Sequence, residues 1–236
     1  MLKMSRFGFS TEPSAGGDFT PIVKYDARSG RMFRIDRVQD ANGYVNDQVD
    51  ITAIFRAVVD FENVETGWMM FLPGAAPSIV VTTLAALEKG GTLPDRPTPE
   101  HKNGIRFMMK LTKTCGGDKP VREIAGMAKV FLSGVEEVYE AYLRERGAQG
   151  GKLPVIELAT TTPVKTGSGT TSSTNYKPVF RISGWAARPA DLVNLRPSTA
   201  PVQPLKATPP ATGAQTVPPP NVMRTPEPQM ADDDFG

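Results

Sequence analysis

The residues of this chain best suited to chemistry crowd into one stretch, Asp95, Glu100, His101 and Lys102. An Asp followed by Glu-x-Lys is the acid pattern with which some nucleases hold Mg²⁺, the two parts lying on neighbouring strands. Here only the four residues 96–99 separate them, and Pro94, Pro97 and Pro99 run through the stretch, so no strand pair can form. His101 could act as a general base, but a solvated loop histidine is the simpler reading. Cys115 has no neighbouring histidine and reads as a strand-end or loop thiol. Gly167-Ser168-Gly169 lacks the Gly-x-x-x-x-Gly-Lys-Ser/Thr pattern that cradles phosphates. One cysteine and one histidine build neither a zinc finger nor a three-histidine zinc site, and allow no internal disulfide. Asp50, Asp60, Glu62 and Glu65 are spaced to meet solvent rather than a metal. The expectation is no enzyme, no metal and no cofactor.

Cations interleaved with rings offer a different chemistry. Residues 24–37 bring Lys24, Tyr25, Arg28, Arg31, Phe33, Arg34 and Arg37 against only Asp26 and Asp36. Along 105–113, alternation sets Ile105, Phe107, Met109 and Leu111 on one face and Arg106, Met108, Lys110 and Thr112 on the other. Along 177–188, Phe180 and Ile182 share a face opposite Lys177, Val179, Arg181, Ser183 and Trp185, with Tyr176 just before. Binders of single strands need this combination, because cations follow the phosphates and flat rings stack on unpaired bases. One such strand is most simply a solvated face; three together favour binding. The expected phosphate contacts are Lys24, Arg28, Arg31, Arg34, Arg106, Lys110, Lys177 and Arg181, and the expected stacking rings are Tyr25, Phe33, Tyr176 and Trp185. The apolar run Trp68–Leu72 reads as core, with Trp68 placed to reach a groove edge.

The elements that must position these residues are mostly strands. Pro21–Asp26 and Arg31–Arg37 flank the turn Ala27–Gly30. Alternation over Asp50–Phe61 puts Ile51, Ala53, Phe55, Ala57, Val59 and Phe61 on one face. Thr66–Leu72, Ser78–Leu84, Leu153–Thr162 and Tyr176–Arg188 are further strands, Gly90–Gly104 is a loop, and 165–175 is a flexible loop able to close over a bound strand. Val121, Ile124, Ala128, Phe131, Val135, Val138 and Tyr142 recur every three or four residues, which predicts a helix over about 119–147 with Asp118 as N-cap. The sum is a mainly β (α+β) body of five to eight strands. It is compatible with a small OB-like antiparallel barrel carrying one long covering helix.

The net charge of +2 conceals two regions. Residues 197–236 hold ten prolines, a single aromatic and a charge of −2, which leaves +4 and 17 aromatics on residues 1–196. Four segments are expected: a flexible arm over 1–20, a binding body over 21–190, a proline-rich disordered linker over 191–229, and an acidic tip over 230–236. The linker has too little apolar surface to offset its ordering entropy. In the tip, Asp232, Asp233 and Asp234 offer charge for steering onto a basic patch, and Phe235 offers one ring to fill a pocket. No apolar run approaches the roughly 18 residues of a membrane span. The first residues lack the continuous apolar stretch of a secretory signal, so a soluble, intracellular protein is expected.

A basic β-rich body, a proline-rich leash and a tip of acids plus phenylalanine together resemble single-stranded DNA-binding proteins, and more narrowly those encoded by tailed bacteriophages and prophages. Tails in that family end in consecutive aspartates followed near the terminus by phenylalanine, which Asp232–Phe235 match with Gly236 appended. The segments KYDARSGRMFRIDR (24–37) and STNYKPVF (173–180) add to the likeness. The resemblance implies an OB-fold core and cooperative coating of single-stranded DNA in the host cytoplasm. It also implies recruitment of a polymerase, helicase/primase or recombinase through the tip. Single-strand annealing and a non-enzymatic structural or interaction β-domain are the alternatives, and homo-oligomer formation is compatible with each.

Overall fold

The computed structural model describes residues 20–41, 43–72 and 77–194, and only the backbone of Thr171. All but the last residue of the arm expected over 1–20, most of the expected linker, and the tip residues Asp232, Asp233, Asp234 and Phe235 lie outside the described residues. All described residues belong to the first of two compact units, Met1–Pro201.

Ten strands form one open, mixed sheet: β1 (Ile22–Asp26), β2 (Arg31–Asp40), β3 (Gly43–Asp50), β4 (Arg56–Val59), β5 (Glu65–Met70), β6 (Ser78–Thr83), β7 (Lys102–Leu111), β8 (Val121–Gly126), β9 (Leu153–Thr166) and β10 (Ser173–Ala186). Three α-helices accompany them, α1 (Leu84–Glu88), α2 (Lys113–Gly116) and the long α3 (Lys129–Glu145). The strand order is β10-β9-β4-β7-β8-β1-β2-β3, with β5 paired to both β7 and β6. Every pairing is antiparallel except β1 with β8. Within this path β9-β4-β7-β8 has a Greek-key order: β4, β7 and β8 neighbour in turn, with β5 and β6 inserted between the first two, and β9 returns through α3 to lie beside β4. The mainly β architecture with one long helix agrees with the sequence reading. The strand count exceeds the expected five to eight, and the path keeps two ends, β10 and β3, so the sheet is open and mixed where a small OB-like antiparallel barrel was expected.

The helix begins ten residues later than its spacing predicts. Val121 and Ile124 fit the helical stripe in phase, yet Val121–Gly126 is strand β8, paired to β7 on one side and β1 on the other. Ladders on both flanks override a six-residue preference. Asp118 is therefore not the N-cap; Ala128 is, without a side-chain bond. The rest of the stripe holds, since Phe131, Val135, Val138 and Tyr142 are buried in the core with Val59, Phe61 and Phe107. Gly134 lets α3 approach β10, because a Cβ there would sit 2.3 Å from the Pro178 carbonyl oxygen.

Two hairpins depend on local chemistry. In the β1–β2 turn the Asp26 carboxylate accepts from the Arg28 N–H (3.0 Å) and the Ser29 hydroxyl (2.8 Å), and Gly30 adopts φ +70°. Burial opposes ionisation of Asp26, but these two hydrogen bonds hold its carboxyl below the usual range. The β9–β10 hairpin runs longer than predicted: both ends of the expected loop 165–175 are strand, which leaves a turn at 167–172. Threonines and valines suit a pleated ribbon, and Asn175 Nδ2 donates to Thr166 Oγ1 across it (2.7 Å). The Tyr176 N–H points away from β9 and donates to the Ala27 carbonyl (2.7 Å). Pro163 and Pro178 share that non-hydrogen-bonded parity and cost no ladder bond.

Candidate nucleic-acid interface

The β1–β2–β3 register builds a face of cations and rings. Lys24 pairs with Phe33 and Phe33 with Asp50, while Arg37 pairs with Asn46 and Gln39 with Tyr44. Period-two alternation therefore sets Lys24, Arg31, Phe33, Arg37 and Tyr44 on one face, about 20 Å from Arg31 to Arg37 along the strand. Arg31 donates to Asp50 (2.9 Å). Hydrogen bonds from the Thr52 hydroxyl and N–H, then the Arg31 charge, hold the Asp50 carboxyl below its usual range. Arg37 stacks its guanidinium 4.5 Å from the centroid of the Tyr44 ring, itself 62% exposed. The sequence reading counted Arg37 among the hairpin's cations but overlooked Tyr44, which lies outside the segments singled out. Another cation–ring contact forms on half-buried Trp68: Arg96 lies 5.2 Å from its centroid, and the Trp68 indole donates to the Pro94 carbonyl (2.8 Å).

The other expected residues divide sharply. Lys24 and Arg28 are exposed and form no salt bridge among the described residues. Arg34 lies on the opposite face of β2, donating to Asp36 (2.8 Å) and the Cys115 carbonyl (3.0 Å). Arg106 does share the outward side of β7, but it is 6% exposed and held by Glu65 at 2.6 Å, with Glu123 at 3.9 Å. Two carboxylates face this one guanidinium, which therefore has no surplus charge to offer a phosphate. Lys110 grips Asp191 (2.7 Å), Lys177 grips Glu137 (2.6 Å), and Arg181 pairs with Glu157.

Two of the four expected rings serve the core instead. Tyr25 points inward, stacks on Phe131 (5.7 Å between centroids) and donates its hydroxyl to the Tyr176 carbonyl (2.8 Å). Burial, helped by the Asp26 charge, pushes its phenol up to about 12. Trp185 packs against the core and stacks on Tyr142 at 6.0 Å. The physical reason is a register shift between Ile182 and Gly184, a β-bulge that turns Trp185 away from the Arg181 face. Phe33 stays half-buried beside Lys24, and half-buried Tyr176 sits at the β1–β2 turn, where a Cβ on Gly30 would touch its own Cβ at 3.0 Å. The structure thus gathers Lys24, Arg28, Arg31, Phe33 and Tyr176 about one hairpin. It leaves Arg106, Lys110, Lys177 and Arg181 in separate ion pairs.

The chemically tempting residues are structural here. His101 is not a solvated loop residue: it is 2% exposed, with the Ser78 hydroxyl 2.9 Å from Nε2 and the Thr98 hydroxyl 3.0 Å from Nδ1. Both nitrogens are occupied and no substrate can approach them. Asp60 and Glu65, expected in solvent, are buried on Arg188 and Arg106. Of the run Trp68–Leu72, Met69 is core, whereas Phe71 and Leu72 are exposed. Among the described residues no group of three His, Cys, Asp or Glu is placed to hold a metal, and no helix is long and apolar enough to cross a membrane. No protein-family model, curated protein or solved structure matches the chain.

Proposed function

We propose that this chain is a sequence-independent single-stranded DNA-binding protein, without catalytic activity of its own, that serves phage-type DNA replication or recombination in the host cytoplasm. The observation that carries the reading is the outward face of β1–β2–β3, where Lys24, Arg31 and Arg37 alternate with the rings of Phe33 and Tyr44. Cations spaced along a strand with rings between them suit a flexible polyanion whose bases are unpaired. Arg31 is held only by an exposed ion pair, of the kind worth about 1 kcal/mol or less, so a phosphate can take over from Asp50.

The finer fold assignment belongs with this reading. β4, β7, β8, β9 and β10 are taken as the five strands of a partly open OB-type Greek-key barrel, with α3 between the third and fourth. In such barrels the face of strands two and three and the loops 1–2 and 4–5 bind oligonucleotides. The corresponding parts are β7–β8, the segment 60–101 with its Trp68–Arg96 stack, and the turn 167–172. The hydrogen bond from Tyr176 to Ala27 supports the assignment, because it ties β10 to the β1–β2 turn across the gap a barrel would close. The tip Asp232–Phe235 is proposed to recruit replication or recombination enzymes.

Fluorescence anisotropy of labelled oligo-dT, with full-length protein and a 1–196 truncation across a salt series, tests the reading. Single-strand preference, an affinity falling with salt, and equal or tighter binding without the tail are expected. Phe33→Ala with Tyr44→Ala should weaken binding by roughly 10-fold or more, since stacking contributes about 1–3 kcal/mol per base. No dT binding at low salt in either protein overturns the proposal.

A further inference from the structure

A cleft of about 380 Å³ opens beside the β2–β3 face. β1 pairs with β2 only as far as Ile22 opposite Ile35, so among the described residues no strand pairs with that side of β2 beyond Ile35. The cleft lies between this edge and the turn Gly117–Lys119, and its lining includes Arg34, Arg37, Lys119 and Arg122 against Asp36 and Asp118. Four cations thus face two carboxylates.

The imbalance is sharpest at the inner wall. Arg122 is 1% exposed, and its Nη2 donates to Asp36 Oδ1 (2.7 Å). Asp36 Oδ2 is already taken by Arg34 Nε (2.8 Å). Two guanidinium groups share the Asp36 carboxylate, so these three groups together carry one positive charge in excess. The carbonyls of Ile35 and Gly116 absorb further Arg122 N–H groups, but the buried Nε has no partner. Desolvation pushes the Arg122 guanidinium below its ordinary value even with Asp36 beside it. Buried charge without full compensation is costly, and an anion is the chemical species that would complete the site.

The geometry points to a phosphate-binding subsite in this cleft, taking one backbone phosphate of a single strand as it leaves the β2–β3 face. Arg37 connects the two surfaces: it lines the cleft and stacks on Tyr44, so a strand with one base on Tyr44 carries its neighbouring phosphate toward Lys119 and the Arg34–Arg122 pair. The source of the phosphate rests on the single-strand reading above; the anion site itself rests on the charge arrangement alone.

The test uses the full-length chain and the double variant Arg37→Ala with Lys119→Ala, which spares Arg34 and the buried Arg122. First, thermal midpoints are compared in inorganic phosphate and in chloride at equal ionic strength. Phosphate should raise the wild-type midpoint and raise that of the variant distinctly less. Second, oligo-dT affinity is followed across salt. The variant should bind several-fold more weakly, its log–log salt slope smaller by about 0.7, the loss of one single-strand phosphate contact. Equal phosphate shifts in both proteins, or none in either, overturn the subsite; if dT binding then persists unchanged, the single-strand function survives without it. A phosphate shift confined to wild type with an unchanged dT slope overturns the strand assignment and leaves a site for free phosphate. Absence of dT binding with that same shift removes the single-strand reading and keeps the anion site.

Discussion

At the scale of single residues, a cation on an outward strand face is a binding residue only where no carboxylate of its own protein has claimed it. Alternation identified the face of Arg106 correctly but could not see Glu65, 41 positions away, because the pairing of β5 with β7 arises from tertiary register. Trp185 failed for a related reason, since one bulged residue reverses the side on which every later side chain lies. Lys24 and Phe33 were legible because their hairpin is local and its Asp26–Gly30 turn is written in the sequence. Tyr25 carries a prediction at this scale. Its phenol is raised to about 12 by burial and the Asp26 charge, against about 10 for an exposed tyrosine. The fold therefore favours the neutral form; that stabilisation is complete below pH 10 and is lost as pH rises from 10 through 12. Tyr25→Phe should cost about 1 kcal/mol at pH 7 through the lost hydrogen bond to Tyr176. It should also flatten the alkaline decline in urea midpoint between pH 10 and 12. A variant that declines as steeply as wild type refutes this assignment.

At the scale of elements, one apolar periodicity identified α3 through Phe131, Val135, Val138 and Tyr142 and overextended it through Val121 and Ile124. Periodicity reports which residues could share a helical face, and Val121 and Ile124 satisfy it by coincidence. What decides their state is that β8 fills the place between β7 and β1, whose ladders satisfy its peptide groups on both sides. The contact of α3 with β10 is equally hidden in the sequence, where Gly134 looks like a weak point in a helix. Replacing an exposed helical glycine by alanine stabilises by about 1 kcal/mol. Gly134→Ala should do the opposite, because the new methyl meets the Pro178 carbonyl oxygen at 2.3 Å and the Pro178 ring at 2.7 Å. Overpacking of this kind costs roughly 1–3 kcal/mol. Gly147 is the control, since nothing lies within 4 Å of a Cβ added there. Urea midpoints should fall for Gly134→Ala and hold for Gly147→Ala; equal midpoints would mean that α3 and β10 have room to part.

At the scale of the molecule, composition separated a ring-bearing body from a proline-rich tail, yet it could not say where packing stops. The segment after β10 folds back over the sheet. Arg188 makes two hydrogen bonds to buried Asp60 (2.7 and 2.8 Å) and one to Glu62 (2.7 Å), Asp191 holds Lys110, and Leu192 packs with Met108 and Leu153. Hydrogen bonds to Asp60 raise the Arg188 guanidinium above its ordinary value, so Arg188 stays charged at every ordinary pH. Nothing in the composition of 187–194 announces this, because one leucine shortly after a proline reads as linker until its pocket is known. A chain ended after residue 194 should keep the full-length urea midpoint. A chain ended after residue 186 leaves Asp60 buried without its cation and uncovers the outer side of Met108. It should lose about 4 kcal/mol or more, since stripping one partner from a buried ion pair alone costs about 3–5 kcal/mol. The same pair of truncations separates stability from binding: Lys110 is released from Asp191 in the shorter chain and becomes available to a phosphate. If the clasp guards that lysine, the shorter chain binds oligo-dT more tightly per folded molecule while melting earlier. Equal affinity would place Lys110 outside the path of the strand.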